Sequence, residues 1–167
     1  IRVPQGCPTV EKAMALAVVF SEKKEYTEAD PLKIQLEEGV HEIVGDGHGQ
    51  MHVTCSHITI VGKGKDQTTM RGGFKVTNKQ HVKFEGLTVT NPTGNGLWLG
   101  GSETTVGVLK CAFKECEING MYLGDGATVT ATQCEFMENG EDGVDCNFME
   151  FESYGANTRA RFDNCTM

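Results

Sequence analysis

A four-residue unit that recurs about every 23 residues constrains the fold of this chain more than any other feature. Each unit reads glycine, apolar residue, variable residue, apolar residue, and the copies GFKV, GLWL, GMYL and GVDC begin at residues 73, 96, 120 and 143. The first apolar residues of the four copies are separated by 23, 24 and 23 residues, and Met51 fits one step earlier without the glycine. A fixed period of this length is typical of a solenoid, in which each repeat stacks on its neighbours.

Two further apolar columns accompany the first and alternate as β-strands do. Apolar pairs at positions i and i+2 begin at Ile58, Val82, Val106, Val129 and Ala160. A third set begins at Leu87, Cys111, Cys134 and Cys165. Alternation of period two predicts strands with one buried face, so each repeat holds three short strands. Asn95-Gly96, Asn119-Gly120 and Asp142-Gly143 recur once per repeat, always before the same strand, which favours a coil of stacked parallel strands over hairpins. We expect the unit glycine to adopt the left-handed conformation that bends the chain into the strand.

These units resemble a known fold family. The NG-apolar-x-apolar units and the apolar-x-apolar-x-x-Cys-x-apolar units, such as VTATQCEF at residues 129–136, are similar to the right-handed parallel β-helix of the pectate-lyase-like superfamily. The resemblance covers about residues 50–167 and implies an all-β fold of about five rungs, with three strands in each coil of about 23 residues. It says almost nothing about activity, because function depends on the site rather than on the fold.

The N-terminal third is expected to close one end of the coil. Apolar residues at positions 10, 13, 14, 17 and 18 have helical spacing after a capping Thr9, and they predict a helix over about residues 8–20. In the resembling family such a helix often covers the open end. Residues 34–36 and 39–43 are interpreted as an irregular first rung, with regular rungs over 50–167. We therefore expect a single β-helix domain over residues 1–167, excised from a longer protein.

The charge and hydropathy of the chain argue against two classes of partner. The formal net charge is −8, whereas a face that binds nucleic acid must be basic to neutralise phosphates. No apolar run approaches the roughly 20 residues of a membrane-spanning helix. The sequence therefore predicts that neither a nucleic acid nor a membrane is the partner.

Four of the seven cysteines follow the repeat, and the sequence contains no CxxC motif. The columns place Cys111, Cys134 and Cys165 at one inward position on three rungs, and Cys146 at an inward position of the first strand of its repeat. We expect these thiols to be free and buried as small apolar side chains, because a straight column does not surround a metal ion. The pattern leaves three cysteines unassigned: Cys7, Cys55 and Cys116.

The variable residue of each unit is predicted to point away from the core, because alternate residues of a strand face opposite sides. These outward residues form a row on one face: His52, Lys75, Trp98, Tyr122 and Asp145. Trp98, the only tryptophan, and Tyr122 lie on adjacent rungs, so their flat faces are candidates for contact with sugar C–H groups. The alternative is that the two rings stack on each other and stabilise the sheet. An insertion after Cys146 adds three aromatic candidates: Phe148, Phe151 and Tyr154.

The resemblance also implies what an active member of the superfamily needs. Its lyases hold calcium with clustered aspartates and use Arg or Lys as the base, and Lys75 lies three rungs from the acidic candidates. Those candidates are Asp125, Glu141, Asp142 and Asp145. The signature motifs of polygalacturonases, pectin methylesterases and alginate epimerases are missing, and the histidines lack the spacing of metal ligands. We therefore name no catalytic residue, metal ligand or cofactor, and leave calcium near Asp142 and Asp145 as an open hypothesis.

Three functions remain open on the sequence alone. The Trp98–Tyr122 pair favours a non-catalytic module that binds a polysaccharide on the exposed face of the first strand. The second function is that of a fragment of a polysaccharide lyase, epimerase or hydrolase. The third is that of a protein-interaction β-helix, which the free thiols favour. We expect a polysaccharide as the partner, with a protein partner as the alternative, and we do not expect the chain to be an enzyme on its own.

Overall fold

The chain forms a coil of parallel strands whose three faces are β-sheets. The structure, a computed structural model, describes residues 1–146 and 158–167. Sheet A consists of β1 (Arg2–Val3), β2 (Leu32–Leu36), β5 (Ile58–Val61), β8 (Val82–Glu85), β11 (Thr105–Leu109), β14 (Thr128–Thr132) and β17 (Arg159–Asp163). Sheet B consists of β3 (Gly39–Glu42), β6 (Thr68–Arg71), β9 (Thr88–Thr90), β12 (Ala112–Lys114) and β15 (Glu135–Met137). Sheet C consists of β4 (Gln50–His52), β7 (Gly73–Thr77), β10 (Leu97–Gly100), β13 (Met121–Leu123) and β16 (Val144–Cys146).

Each strand pairs in parallel with the equivalent strand of the next rung, about 4.8 Å away. In the described part of the chain, five rungs contain a strand from each of the three sheets. The predicted parallel coil of about five rungs is therefore confirmed. One strand of sheet A extends the stack at each end, namely β1 at the first rung and β17 beyond the fifth.

The core is the interior of the coil, where the three predicted columns meet in register. In sheet C, Leu97 pairs with Phe74 on one side and with Met121 on the other, and all three side chains are fully buried. In sheet B, the rings of Phe113 and Phe136 stack with centroids 5.3 Å apart. The third column does not continue to its last residue, because Met167 is 68% exposed.

The coil is regular from residue 32, not from residue 50 as expected. Strand β2 pairs with β5, and β3 pairs with β6, in the same parallel arrangement as the later rungs. Leu32, Ile34 and Leu36 alternate inward with outward polar residues, which is the period of a half-buried strand. The first rung lacks the glycine unit, so the sequence pattern did not identify it as regular. Residues 45–49 form its last corner instead.

Helix α1 (Val10–Lys23) covers the N-terminal end of the core and ends three residues beyond the expected range. The hydroxyl of Thr9 accepts a hydrogen bond from the backbone N–H of Lys12 (3.3 Å), as an N-cap does. Its apolar side chains join the core next to β1 and β2. These side chains are Val10, Ala13, Met14 and Ala17. Among the described residues, no helix is long and apolar enough to cross a membrane.

The corners of the coil are built from local hydrogen bonds and left-handed residues. Between sheets A and B, the chain turns at single non-glycine residues with φ near +54°. These residues are Lys110, Gln133 and Asn164. Before sheet C, Asn95 Oδ1 accepts the backbone N–H of Asn119 (3.0 Å), and Asn119 Oδ1 accepts that of Asp142 (2.9 Å). Each corner side chain therefore satisfies a backbone donor of the next rung.

The glycine of each repeat unit is required for close packing, and its expected left-handed conformation is wrong. None of the four unit glycines has a positive φ. A Cβ atom on Gly96 would lie 2.8 Å from the carbonyl oxygen of Gly120 and 2.9 Å from the sulfur of Cys116. A Cβ atom on Gly120 would lie 2.7 Å from the carbonyl oxygen of Gly143. The rungs approach each other here too closely for any side chain, and this explains the repeat.

Candidate functional site

The predicted row of outward residues lies on the outer face of sheet C. Strand pairing places His52 beside Lys75, Trp98 between Lys75 and Tyr122, and Asp145 beside Tyr122. The side chain of His52 is exposed, and the other four residues are half-buried. The structure therefore brings these five residues together, one from each rung. The three candidates of the insertion lie outside the described residues: Phe148, Phe151 and Tyr154.

Three members of the row are stacked on one another. The rings of Trp98 and Tyr122 are nearly parallel (12°), with centroids 5.6 Å apart. The ammonium group of Lys75 lies 4.5 Å from the centroid of the Trp98 ring, in a cation–π contact. Lys75 and Tyr122 come from the strands on opposite sides of β10, so both faces of the indole are covered. Trp98 therefore presents its ring edge rather than the flat face expected for sugar contact.

Two glycines allow the rings to take this position. A Cβ atom on Gly100 would lie 2.5 Å from the Trp98 ring, and one on Gly124 would lie 3.2 Å from the Tyr122 ring. Each ring therefore folds along its own strand, over the glycine two residues later. The sequence carries this signal in the matching segments WLG at residues 98–100 and YLG at residues 122–124.

Asp46 belongs to the row, although the sequence pattern assigned its segment to a turn. Its Oδ2 lies 3.3 Å from Nε2 of His52, and its Oδ1 accepts the backbone N–H groups of His48 (2.9 Å) and Gln50 (3.1 Å). Burial acts to raise the pKa of this carboxyl, but the two backbone hydrogen bonds and His52 outweigh burial and lower it. Asp46 is therefore a fixed carboxylate that orients the imidazole of His52.

Two charged members of the row, Lys75 and Asp145, have no ionic partner in the described part of the chain. No carboxylate of residues 1–146 or 158–167 lies within 4 Å of the Lys75 ammonium, and no cationic side chain of the same residues lies that close to the Asp145 carboxylate. Within residues 1–146 and 158–167, the row is thus a strip with an ammonium group near one end and a carboxylate at the other, neither of which forms a salt bridge. Such groups are available to hydrogen-bond a ligand.

The hypothesis of a calcium site gains no support from the arrangement of acids. Asp142 is exposed, and its backbone N–H donates to Asn119, while Asp145 lies half-buried in the row. Over the described ranges, no group of three His, Cys, Asp or Glu side chains is placed to hold a metal ion. Calcium needs six to eight oxygen ligands, and the described residues do not assemble them.

The cysteine column is a packing element rather than a nucleophile. Cys111 and Cys134 are buried and Cys165 is half-buried, and all three are free thiols. Each thiol lies within hydrogen-bonding distance of the carbonyl oxygen two residues before it, at 3.3–3.6 Å. Burial raises the pKa of Cys111 to about 12 and that of Cys116 to about 11, so neither thiol ionises near neutral pH. The three cysteines that the pattern left unassigned are also buried: Cys7, Cys55 and Cys116.

The comparisons with known proteins agree with the fold described above. The family model for the right-handed β-helix region matches residues 34–167. No curated protein and no solved structure matches the chain significantly. The match begins within β2 and includes every later strand, and it therefore covers most of the chain. The chain therefore belongs to the right-handed β-helix family.

Proposed function

We propose that the outer face of sheet C binds a polysaccharide without cleaving it. The single observation that carries this proposal is the stacked row of Lys75, Trp98 and Tyr122, with one functional side chain on each rung. The row includes the only tryptophan of the chain, and its side chains are held on a surface rather than in the core. Large amphipathic rings fixed at a surface supply contact area and polar edges together.

The edges of the stacked side chains supply the polar contacts. In the described part of the structure, neither the indole N–H of Trp98 nor the hydroxyl of Tyr122 has a hydrogen-bond partner, and the Lys75 ammonium likewise has no carboxylate partner. These groups follow one another along the coil at the spacing of the rungs, about 4.8 Å. Asp145 continues the row with an acceptor. A linear polymer of hydroxyl-bearing sugars that runs along the coil meets one such group on each rung.

This proposal is tested by a screen of plant and algal polysaccharides on a glycan array. Affinity gels then measure binding to the polysaccharides that the array identifies. We expect Trp98→Ala to lower the affinity at least about tenfold, which corresponds to about 1.4 kcal/mol. The fold should remain intact, because the side chain lies outside the core. Lys75→Ala should weaken binding to a smaller extent. Lys114→Ala is the matched control, since Lys114 is a half-buried lysine on the outer face of sheet B.

Several results would contradict the proposal. If the wild-type chain retains none of the polysaccharides, the sheet C face is not a polysaccharide site. If Trp98→Ala and Lys114→Ala bind as the wild type does, the ligand lies on another face. For the wild type, the emission of the single tryptophan should change when the ligand is added, because the ring edge is part of the site.

The oriented pair of His52 and Asp46 favours a second candidate, an enzyme that cleaves a polysaccharide. A histidine held by a carboxylate is a common general base, and its strand neighbour on the next rung is Lys75. The test is turnover of acidic polysaccharides, measured as new reducing ends and as unsaturated products. On the binding proposal neither product forms. Turnover that His52→Ala abolishes would move the assignment to the enzyme.

A further inference from the structure

Gly107, in the middle of β11, has no structural reason to be a glycine. Its φ lies outside the left-handed region, and an added Cβ atom would meet nothing closer than Lys83 Cγ at 3.8 Å, which is an ordinary contact. The other strand glycines of the described chain have a positive φ or a close neighbour: Gly39, Gly73 and Gly100. Glycine weakens a strand interior and often marks a bulge, a tight bend or the close approach of a ligand or another backbone. Gly107 pairs in regular register with Lys83 and Thr130, so it does not mark a bulge.

Because Gly107 has no side chain, its backbone forms the floor of a groove along the outer face of sheet A. The groove has a volume of about 460 Å³. Strand pairing shows that it follows one outward column across five rungs, and the column consists of Lys33, Thr59, Lys83, Gly107 and Thr130. Five strands at the usual spacing give a length of about 19 Å. The groove is therefore long and narrow and runs parallel to the axis of the coil.

Thr59 supplies a second observation that points to a ligand. This residue is only 6% exposed, yet it is an outward residue of β5 and lines the groove. Among residues 1–146 and 158–167, no side-chain hydrogen bond involves its hydroxyl, whereas Thr105 Oγ1 in the same groove accepts the backbone N–H of His81 (2.7 Å). This hydroxyl is not one of the described polar atoms that are both buried and unpaired, so it opens to the groove, where it can pair with a bound ligand.

The charges around the groove balance one another. Lys83 pairs with Glu85 (2.9 Å), and Glu28 at the rim lies 3.4 Å from the imidazole of His81. With Lys33, the lining holds two lysines against two glutamates, together with four threonine hydroxyls. A groove of this kind offers donors and acceptors in similar number and no net charge, so it suits a ligand that is rich in hydroxyl groups and uncharged.

We infer that the groove over Gly107 is a second binding site, which takes a linear, uncharged oligosaccharide of about four sugar units. The advance per unit of a 1,4-linked saccharide is close to the spacing of the rungs, so each sugar lies over one strand. The sugar above Gly107 approaches the backbone of β11, and the Thr59 hydroxyl donates to or accepts from the sugar two rungs away. This site stands independently of the face of sheet C, because none of its residues belongs to the row of Trp98.

Isothermal titration with neutral linear tetrasaccharides of glucose, mannose and xylose tests the site. Gly107→Val places two methyl groups on the groove floor and should lower the affinity at least about tenfold. It should leave the melting temperature unchanged or raise it, since valine favours strands. Thr59→Val removes only the unpartnered hydroxyl, so it should weaken binding without loss of stability. Trp98→Ala is the control and should bind as the wild type does, and the tryptophan emission of the wild type should not change.

The following outcomes overturn the inference. If the wild type binds none of the neutral tetrasaccharides, the groove is not a saccharide site. If it prefers tetragalacturonate at the same concentration, the assignment of an uncharged ligand is wrong. If Gly107→Val and Thr59→Val bind with wild-type affinity, or if only Trp98→Ala abolishes binding, the ligand does not occupy this groove.

Discussion

Gly96, Gly100 and Gly107 lack a side chain for three different physical reasons. At Gly96 a Cβ atom would collide with the next rung, and at Gly100 it would collide with the ring of Trp98. At Gly107 it would collide with nothing. At the scale of single residues, the first glycine thus serves the fold, the second places the aromatic row, and the third leaves a groove open.

Gly100→Ala tests how the aromatic row is held. The new Cβ atom would need the space now occupied by the indole, 2.5 Å away, so Trp98 must leave its place between Lys75 and Tyr122. We expect the tryptophan emission to shift to longer wavelength, because the displaced ring is more exposed. Polysaccharide binding on this face should fall, although Trp98 itself is unchanged.

Gly124→Ala is the matched control for that change. Its Cβ atom would lie 3.2 Å from the Tyr122 ring, so a shift of a few tenths of an ångström accommodates it. The emission of Trp98 should change less than in Gly100→Ala. Equal emission spectra for Gly100→Ala and the wild type would show that the indole does not lie over Gly100.

At the scale of the single rung, the close packing at the unit glycine predicts that Gly96→Ala and Gly107→Ala have different effects on the free energy of unfolding. Gly96→Ala should reduce the free energy of unfolding by about 1–3 kcal/mol, because overpacking forces the rungs apart. Gly107→Ala, also in the body of the coil, should leave it unchanged or raise it by up to about 1 kcal/mol, since glycine is the poorer strand residue. Denaturant unfolding of both variants measures the difference, and similar stabilities would refute the close-approach explanation.

The strands and their register could be predicted because inward apolar residues alternate with outward ones and recur at a fixed period. The pairing of Leu97 with Phe74 and Met121 follows from that period alone. The direction of the rings on the outer face could not be predicted, because alternation gives the face of a side chain but not its χ angles. Asp46 was missed for a related reason, since its contact with His52 depends on the path of a turn.

The burial of the cysteine column (Cys111, Cys134 and Cys165) predicts the order in which its thiols react. Cys111 and Cys134 are 0–1% exposed, and burial raises the pKa of both thiols, so alkylation of the native protein should require unfolding. Cys165 is only half-buried, and we expect it to react first of the three. Timed alkylation with peptide mass spectrometry gives the order. Rapid labelling of Cys111 in the native state would place that side chain outside the core.

At the scale of the whole molecule, the rungs share one continuous core, so a cavity in a middle rung weakens the whole coil. Leu97 is fully buried and lies between Phe74 and Met121. Leu97→Ala should therefore reduce the free energy of unfolding by about 2–5 kcal/mol. Val40→Ala is the control, because Val40 is 64% exposed on the outer face of sheet B and should change stability by less than about 0.5 kcal/mol. Equal losses from the two variants would contradict the inward register.

The buried thiols should also make the whole molecule sensitive to alkaline pH. The pKa of Cys111 rises from 9.0 to about 12 in the folded protein, so between these values the unfolded chain loses a proton that the folded chain keeps. Unfolding is then favoured as pH rises, by up to about 1.4 kcal/mol per pH unit for each such thiol. Cys116, with a pKa of about 11, adds to this loss.

Cys111→Ala isolates that contribution to the pH dependence. The variant should be less stable than the wild type at pH 7, because it loses packing, but its stability should fall less steeply between pH 9 and 11. Leu87→Ala is the matched control, since Leu87 is fully buried in the same column one rung earlier and carries no thiol. Leu87→Ala should be less stable than the wild type at pH 7, but its stability should fall with rising pH as steeply as that of the wild type. Urea unfolding at each pH gives the slopes, and parallel curves for all three proteins would show that ionisation of Cys111 is not coupled to unfolding.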